Sequence, residues 1–206
     1  MKPKVLILFA HPALEKSRVN RRLAEAVRSI PGVTFHDLYE LYPDFDIDVP
    51  REQELLEEHE IVVLQHPFYW YSTPALIKEW QDLVLEHGWA YGSEGHALEG
   101  KTFISIISAG GGEQAYCSQG YNRFSVRQLL APIEQTARLC RMRYLPPFVV
   151  FGTHRLTADD IASKASRYRV LLEALVAGEP DEDERERLTE AITINGFVSR
   201  LVGAGA

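Results

Sequence analysis

The sequence predicts a three-layer α/β fold in which a parallel five-stranded sheet, in the order 2-1-3-4-5, has helices on both faces. Three apolar runs without alternation, at residues 4–10, 61–64 and 102–107, are typical of strands buried on both faces of a parallel sheet. Polar loops and segments with helical spacing separate these runs. Strands that alternate with helices at short spacing predict a parallel, doubly wound sheet. The 206 residues suit one such domain.

The other elements fall in order between and after these runs. We expect strands at residues 33–38 and 147–151, and helices at residues 18–30, 50–59, 74–86, 123–139 and 157–176. The last of these helices begins at Thr157, with Asp160 three residues later in the arrangement of a capping box.

The predicted domain ends at residue 177, and residues 178–206 are expected to form an acidic linker and a C-terminal helix. The stretch Gly178–Arg187 is rich in acidic residues and contains Pro180, which is typical of a solvated linker. Apolar residues at helical spacing beyond it predict a helix with one apolar face. The sequence leaves open whether that helix packs on its own subunit, on a dimer mate or on nothing.

Composition excludes several functions. The formal net charge of −7 is not that of a nucleic-acid-binding protein, which usually carries a basic patch. Cys117 and Cys140 are the only cysteines, too few for a disulfide framework, so we expect a reducing compartment, the cytoplasm. No run approaches the roughly 18 apolar residues of a membrane span. We expect no metal, because neither H-E-x-x-H nor a paired C-x-x-C spacing is present.

The loop after the first strand has the features of a phosphate site. Ser17 is a natural N-cap for a helix in which Val19, Leu23 and Val27 recur at helical spacing. The free N–H groups near Arg18–Asn20 would then point at the strand end, where the helix dipole attracts an anion. Neither G-x-G-x-x-G nor the Walker motif is present, so this loop is the alternative way to hold a phosphate. An ordinary helix cap is the competing interpretation of Ser17.

Four consecutive aromatic residues, Phe68, Tyr69, Trp70 and Tyr71, follow the third strand. In open α/β sheets ligands lie outside the carboxyl ends of the strands. An indole or phenol face there can stack on a planar ligand. The competing interpretation is that these side chains only pack the loop.

The fourth strand is followed by Ser108, Ala109 and three consecutive glycines, 110–112. Glycine allows the backbone to approach another group closely, such as the edge of a flat ring. A flexible turn is the competing interpretation. A phosphate cap, an aromatic shelf and a glycine edge, at the carboxyl ends of three parallel strands, together predict a site for FMN.

The chain resembles the flavodoxin-like NAD(P)H quinone oxidoreductases, most closely the small ancillary subunits of glutathione-gated potassium efflux systems. The resemblance covers residues 4–175 and rests on the order and spacing of several strings. These are Ala-His-Pro at 10–12, residues 17–20, Leu-Tyr-Pro-Asp-Phe-Asp-Ile-Asp at 41–48, residues 65–80, His-Gly-Trp-Ala-Tyr-Gly at 87–92, Leu-Glu-Gly-Lys at 98–101 and residues 110–113.

The resemblance implies roles for particular residues. The phosphate and ribityl end would be held by His11, Ser17, Arg18, Val19 and Asn20; the isoalloxazine would lie along Phe68, Tyr69, Trp70 and Tyr71; and its pyrimidine side would contact Ser108, Ala109, Gly110 and Gly111. Tyr116 matches a tyrosine beside the substrate in the larger quinone reductases. Those relatives have a histidine six residues later, and here that position is Asn122.

These observations predict an FMN-dependent NAD(P)H:quinone oxidoreductase that transfers hydride by a ping-pong mechanism, with Tyr116 and Asn122 as the candidate catalytic residues. FAD is the alternative flavin, and NAD(P)H is the co-substrate. The resemblance implies a homodimer in which the partner's 87–92 region completes each site, and an antiporter's cytoplasmic domain as a partner at the inner face of the membrane. The alternatives are a regulatory binding subunit with little intrinsic activity and an FMN-dependent azoreductase. Residues 1–177 would be the flavin-binding domain.

Overall fold

The computed structural model describes residues 2–204 and places five parallel strands in one sheet, in the predicted order β2-β1-β3-β4-β5. The strands are β1 (Val5–Phe9), β2 (Val33–Asp37), β3 (Ile61–Pro67), β4 (Thr102–Ser108) and β5 (Arg143–Val150). The helices are α1 (Arg18–Val27), α2 (Leu38–Leu41), α3 (Val49–Glu57), α4 (Ala75–Val84), α5 (Val126–Leu129), α6 (Ala131–Leu139), α7 (Ala158–Ala177), α8 (Glu182–Leu188) and α9 (Asn195–Ala204). Within these residues, no helix combines the length and apolarity needed to cross a membrane. Met1, Gly205 and Ala206, which the predicted domain boundaries include, lie outside the described residues.

The three central strands are buried on both faces. Every residue of β1, β3 and β4 is buried. One apolar cluster packs α1, α7 and α9 on one face of the sheet, and a second packs α3, α4 and α6 on the other. The register pairs Val5 with Ile61, and Ile61 with Thr102. The carboxyl ends of these strands therefore meet along one edge, where the following loops face one another.

The outermost strand, β5, begins four residues before the expected segment 147–151. It contains Pro146 and Pro147, and the pairing with β4 shifts register between Ile104 and Ile106 beside them. Proline has no N–H for a ladder, so it is confined to edge strands and bulges. The two prolines therefore fit the edge position, and they also obscured the strand pattern before them.

The single helix expected over residues 123–139 is wrong, because α5 and α6 are separate helices. α5 has a complete capping box between Ser125 and Gln128, and α6 starts anew after Leu130 with Pro132 in its first turn. Proline inside a continuous helix would remove a hydrogen bond and clash with the preceding turn. In a first turn it costs nothing, because the N–H there has no helical partner.

The acidic stretch expected as a linker contains a helix instead. The Asp181 side chain accepts a hydrogen bond from the Glu184 N–H and caps α8, and the acidic residues of its first turn suit the positive end of the helix dipole. α9 then packs against α7 and β5, with Phe197 and Val198 buried. The described residues after α7 thus lie on the sheet domain.

A fully buried carboxylate joins β2, α3 and α4. Glu52 Oε1 accepts a hydrogen bond from the Tyr42 hydroxyl at 2.6 Å and lies 2.6 Å from His36 Nε2, while Oε2 accepts from the Trp80 indole N–H at 2.8 Å. Burial alone would raise the pKa of Glu52. The hydrogen bonds from His36 and Tyr42 outweigh burial and lower the pKa.

Glu52→Gln should lower the free energy of unfolding by about 2–3 kcal/mol at pH 7, because an amide NH₂ would face donors that the carboxylate satisfies. A carboxylate whose folded-state pKa is lowered stabilises the fold above its unfolded-state pKa of about 4.3. That stabilisation is lost as the pH falls through the folded-state value. The difference between wild type and variant should therefore be near its full size at pH 7 and clearly smaller at about pH 3, below the unfolded-state pKa.

Urea unfolding at the two pH values measures this difference. The control is Glu54→Gln, an exposed position on the same helix, which should unfold like wild type. A Glu52→Gln effect that does not depend on pH would contradict the prediction.

Candidate functional site

A cleft of about 630 Å³ opens at the carboxyl edge of the sheet. Of the predicted binding residues, it is lined by His11, Ser17, Arg18, Val19 and Asn20 from the first loop, Phe68, Tyr69 and Trp70 from the second, and Ser108 and Gly110 from the third. Tyr71, Ala109, Gly111, Tyr116 and Asn122 are not part of the lining. The loops after β1, β3 and β4 thus converge on one cleft.

The start of α1 forms one wall of the cleft. Ser17 Oγ accepts a hydrogen bond from the Asn20 N–H at 3.1 Å and caps the helix. Asn20 Nδ2 donates to Ser17 Oγ at 3.1 Å and to Ser108 Oγ at 2.9 Å, which joins the first loop to the third. Asn20 is only 3% exposed, and its Oδ1 has no hydrogen-bond partner within the described residues. Because buried polar atoms rarely stay unpaired, this oxygen is suited to accept from a ligand.

The same wall attracts anions. Lys16 and Arg18 line the cleft beside the start of α1, where the helix dipole also favours negative charge. The Arg18 guanidinium donates to the backbone oxygen of Leu156 at 2.9 Å, which anchors this group to the segment after β5.

His11 is a buried, neutral ring at the end of β1. Its Nδ1 accepts a hydrogen bond from the Ala13 N–H at 3.1 Å, which leaves the proton of the neutral ring on Nε2. Burial lowers the pKa of His11. The ring meets Tyr69 edge-on, with centroids 6.0 Å apart. His11 is therefore placed as a hydrogen-bond donor and not as a cation.

The aromatic segment after β3 forms a strained turn. Trp70 and Tyr71 have φ values of 51° and 61°, and the Ser72 N–H donates to Tyr69 O at 2.9 Å. Two consecutive positive φ values across such a bond define a type I′ turn, which glycine and asparagine normally occupy. Trp70 is 94% exposed while Phe68 is buried. The turn therefore presents the indole to the cleft mouth at a conformational cost.

Two glycines of the third loop, Gly110 and Gly111, each lie against a ring. A Cβ on Gly110 would come within 2.8 Å of His154 Nε2, and one on Gly111 within 3.1 Å of Tyr116 Cε2. Real Cβ atoms do not approach other atoms as closely as the first of these distances, so a side chain at residue 110 would require the exposed His154 ring to move. Ala109, between Ser108 and Gly110, is fully buried.

The candidate catalytic residues lie together beside the cleft. Tyr116 is nearly buried, with its ring centroid 6.2 Å from Phe68 and 5.6 Å from Phe151. Burial raises the pKa of Tyr116, so its hydroxyl stays protonated at neutral pH. Asn122 Oδ1 accepts from the Tyr71 hydroxyl at 3.1 Å, which links the second loop to the loop after Tyr116.

The structure adds a fourth wall that the sequence did not reveal. Thr153 and His154, after β5, also line the cleft. The Thr153 N–H donates to Ala109 O at 3.2 Å, and the Gly152 N–H donates to Gly111 O at 2.9 Å. The available signal was Gly-Thr-His directly after the fifth strand, since every loop at that edge of a parallel sheet can reach the site.

No group of three or more histidine, cysteine, aspartate or glutamate residues that could hold a metal ion was found in the part of the chain that the structure describes.

Comparisons with known proteins show the fold family and relatives of this chain. Residues 3–172 match a family model described as having a flavodoxin-like fold. The glutathione-regulated potassium-efflux system ancillary protein KefG of Pectobacterium atrosepticum is 49% identical over 166 residues, which are 81% of this chain and 91% of KefG. General stress protein 14 of Treponema denticola, solved in complex with FMN, is 41% identical with a TM-score of 0.80, over 84% of this chain and 99% of that one. An NADPH-quinone reductase from P. pentosaceus is 32% identical with a TM-score of 0.74, over 82% and 96% respectively.

Trp70→Gly should raise the free energy of unfolding by about 0.5–1 kcal/mol. Glycine removes left-handed strain of roughly 1–2 kcal/mol. Part of this gain is offset because glycine loses more chain entropy on folding than other residues. The exposed indole contributes little burial that could offset this gain. Urea unfolding measures the change. Trp70→Ala removes the same ring but keeps the strain, so it should show no such gain. Equal stabilities of the two variants would contradict the strain at this turn.

Proposed function

We propose that this chain, which belongs to the flavodoxin-like fold family, binds FMN in the cleft and acts as an NAD(P)H:quinone oxidoreductase. The observation that carries the proposal is the convergence of an anion-attracting helix start, an exposed indole and a glycine edge on one cleft. FAD is the alternative flavin. The FMN complex of a relative that is 41% identical supports FMN.

The residues present fit the phosphate and ribityl end of FMN. Ser17, Arg18 and the first N–H groups of α1 would hold the phosphate, with Lys16 adding positive charge. The unpaired Asn20 Oδ1 is a buried acceptor that a ribityl hydroxyl would satisfy. His11 offers a donor beside them.

The residues also fit a flat ring. Trp70 and Tyr69 would lie along one face of the isoalloxazine, and the backbone of Ser108 and Gly110 would meet its edge, where a side chain at residue 110 would clash with His154. Tyr71, Ala109 and Gly111 do not line the cleft, so they would support the lining residues from behind.

FMN, when bound, supplies the atom that accepts and gives up the hydride; the chain supplies position and exclusion of water. NAD(P)H and the quinone would bind one after the other at the same place, the mouth of the cleft beside Trp70. The reaction would therefore be ping-pong. Tyr116 would donate a hydrogen bond from its protonated hydroxyl to a quinone oxygen as negative charge develops there. Asn122, held by Tyr71, would orient the second oxygen by its amide.

The location and the partners of the protein are also part of the proposal. KefG, by its name an ancillary protein of a glutathione-regulated potassium-efflux system, is 49% identical to this chain. We therefore propose a cytoplasmic protein that meets the cytoplasmic domain of an antiporter at the inner face of the membrane, and whose homodimer completes each site with the partner copy's 87–92 region. A regulatory subunit with little turnover is the second candidate, favoured by the word ancillary in that name. The azoreductase alternative shares the same hydride chemistry and is distinguished by substrate profiling.

Ser17→Asp should weaken FMN binding about 10- to 100-fold, because a carboxylate would stand beside the phosphate in a partly screened site. Aspartate is as good an N-cap as serine, so α1 should remain intact. Riboflavin, which lacks the phosphate, should bind wild type and variant alike. Equilibrium flavin titration by fluorescence measures both affinities.

The matched control is Ser17→Asn, which has nearly the shape of the aspartate and also caps helices but carries no charge. FMN should bind this variant nearly as well as wild type. If Ser17→Asp loses affinity for FMN and riboflavin equally, the phosphate does not bind at this end of the cleft. Absence of any flavin binding by wild type would refute the proposed function.

Tyr116→Phe should slow the quinone half-reaction by about tenfold or more, on the scale of one lost oxyanion donor, and leave reduction by NAD(P)H nearly unchanged. The phenylalanine ring keeps the packing on Phe151. Stopped-flow absorbance separates the two halves, and Tyr121→Phe, an exposed tyrosine of the same loop, should change neither. If Tyr116→Phe slows both halves equally, or neither, the tyrosine is structural.

A further inference from the structure

The outer edge of β5 is covered by residues that follow α8. On its outer side β5 pairs with no other strand among residues 2–204. Asn195 Oδ1 accepts from the Val149 N–H at 3.0 Å, and Asn195 Nδ2 donates to Val149 O at 2.8 Å. The Ile194 N–H donates to Pro147 O at 3.0 Å. An edge strand otherwise exposes a row of unpaired groups, so these bonds take the place of a neighbouring strand.

The covering segment is fastened at its start by a rigid arginine. Arg127 Nη1 donates to the backbone oxygens of Thr189 and Ala191. The other nitrogens of Arg127 form two bonds with the Glu134 carboxylate, at 2.9 and 3.0 Å. A bidentate pair of this kind fixes the plane of the guanidinium. The segment is therefore tied to α5 and α6 as well as to β5.

The covering segment is also packed from beneath. Ile194, Phe197 and Val198 are buried in the apolar cluster that contains Phe148 of β5 and Leu172 of α7. Burying apolar side chains of this size stabilises the contact. The hydrogen bonds to β5 are thus part of a closed, apolar-backed contact and not of a loosely attached tail.

β5 leads directly into the fourth wall of the cleft. Within the sheet, Val150 O accepts from the Ala109 N–H at 2.9 Å. Beyond the strand, the Gly152 N–H donates to Gly111 O and the Thr153 N–H to Ala109 O, both in the loop after β4, residues 109–112, which we call the glycine loop. His154 lies against Gly110 of the same loop. This wall is therefore held by the glycine loop on one side and, through β5, by the covering segment on the other.

We infer that residues 189–203 are an intramolecular strap that fixes the outer edge of β5 and thereby positions Thr153 and His154 in the cleft, with Asn195 as the positioning residue. An asparagine side chain suits this role because its amide offers a donor and an acceptor side by side. The strap lies outside residues 3–172, which match the family model. The strap contact stands without the proposed function, and only its effect on FMN affinity rests on that function.

Amide hydrogen exchange of the full chain tests the strap. Asn195→Leu should raise exchange at Val149 at least about tenfold, because that N–H loses its acceptor. Asn195→Asp keeps the acceptor but sets a carboxylate oxygen against Val149 O, so the protection of Val149 should lie between those of wild type and Asn195→Leu. Gly196→Ala is the matched control, since an added Cβ there meets nothing within 4 Å. Wild-type protection of Val149 in Asn195→Leu, or equal loss in the leucine and aspartate variants, would overturn the proposal.

Two further readouts test the positioning of the cleft. In Asn195→Leu, amides of Gly152 and Thr153 should also exchange faster, and FMN should bind about three- to tenfold more weakly, the size of coupling that networks of contacts transmit. Faster exchange at Val149 with unchanged exchange at Gly152 and Thr153 would overturn the positioning role. Failure of wild type to bind FMN would count against the proposed function alone, because the exchange readout does not need a flavin.

Loss of protection at the amides of β1 would show that Asn195→Leu has unfolded as a whole. In that case the strap is tested in the wild-type protein. There Val149 and Ile194 should exchange through one shared opening, with the same protection and the same weak dependence on denaturant. Different protection of the two amides would overturn the strap.

Discussion

Burial of both faces of β1, β3 and β4 is the constraint on which the rest of this molecule depends. Because helices cover each face, a shift of one residue in the register would exchange the side chains of the two clusters and disrupt the packing of both. The register is therefore fixed, and with it the level at which each strand ends. The loops that begin at Ala10, Phe68 and Ala109 must face one another, so the cleft is a consequence of how the sheet is buried.

The walls of the cleft include strained and closely packed positions. Trp70 and Tyr71 have left-handed backbones, and Gly110 lies where any side chain would strike His154. Such local costs persist only when the surrounding structure is stable enough to impose them. Here the buried strands and networks such as the one around Glu52 provide that stability, and the costs fall where the geometry favours a planar ligand.

The segment after α7 covers the open edge of the sheet at β5. An outer strand that contains Pro146 and Pro147 cannot offer a full ladder, and Asn195 supplies donor and acceptor where β5 has both groups open. The same strand carries Thr153 and His154 to the cleft. Edge protection and the geometry of the cleft are therefore linked through one strand, in a part of the chain that begins beyond the family match.

The sequence by itself determined the strand order, the position of α1 and its Ser17 cap, and most of the residues that line the cleft. The helix and its cap follow from periodicity and local capping, which act over a few residues. The strand order and the lining residues also rest on the family resemblance carried by the motifs along residues 10–113. Only the tertiary structure decided the bond between Asn20 and Ser108, which are 88 residues apart, the approach of His154 to Gly110, and the contact of Asn195 with Val149. Such contacts depend on how whole elements pack against one another, and neither spacing nor propensity encodes that packing.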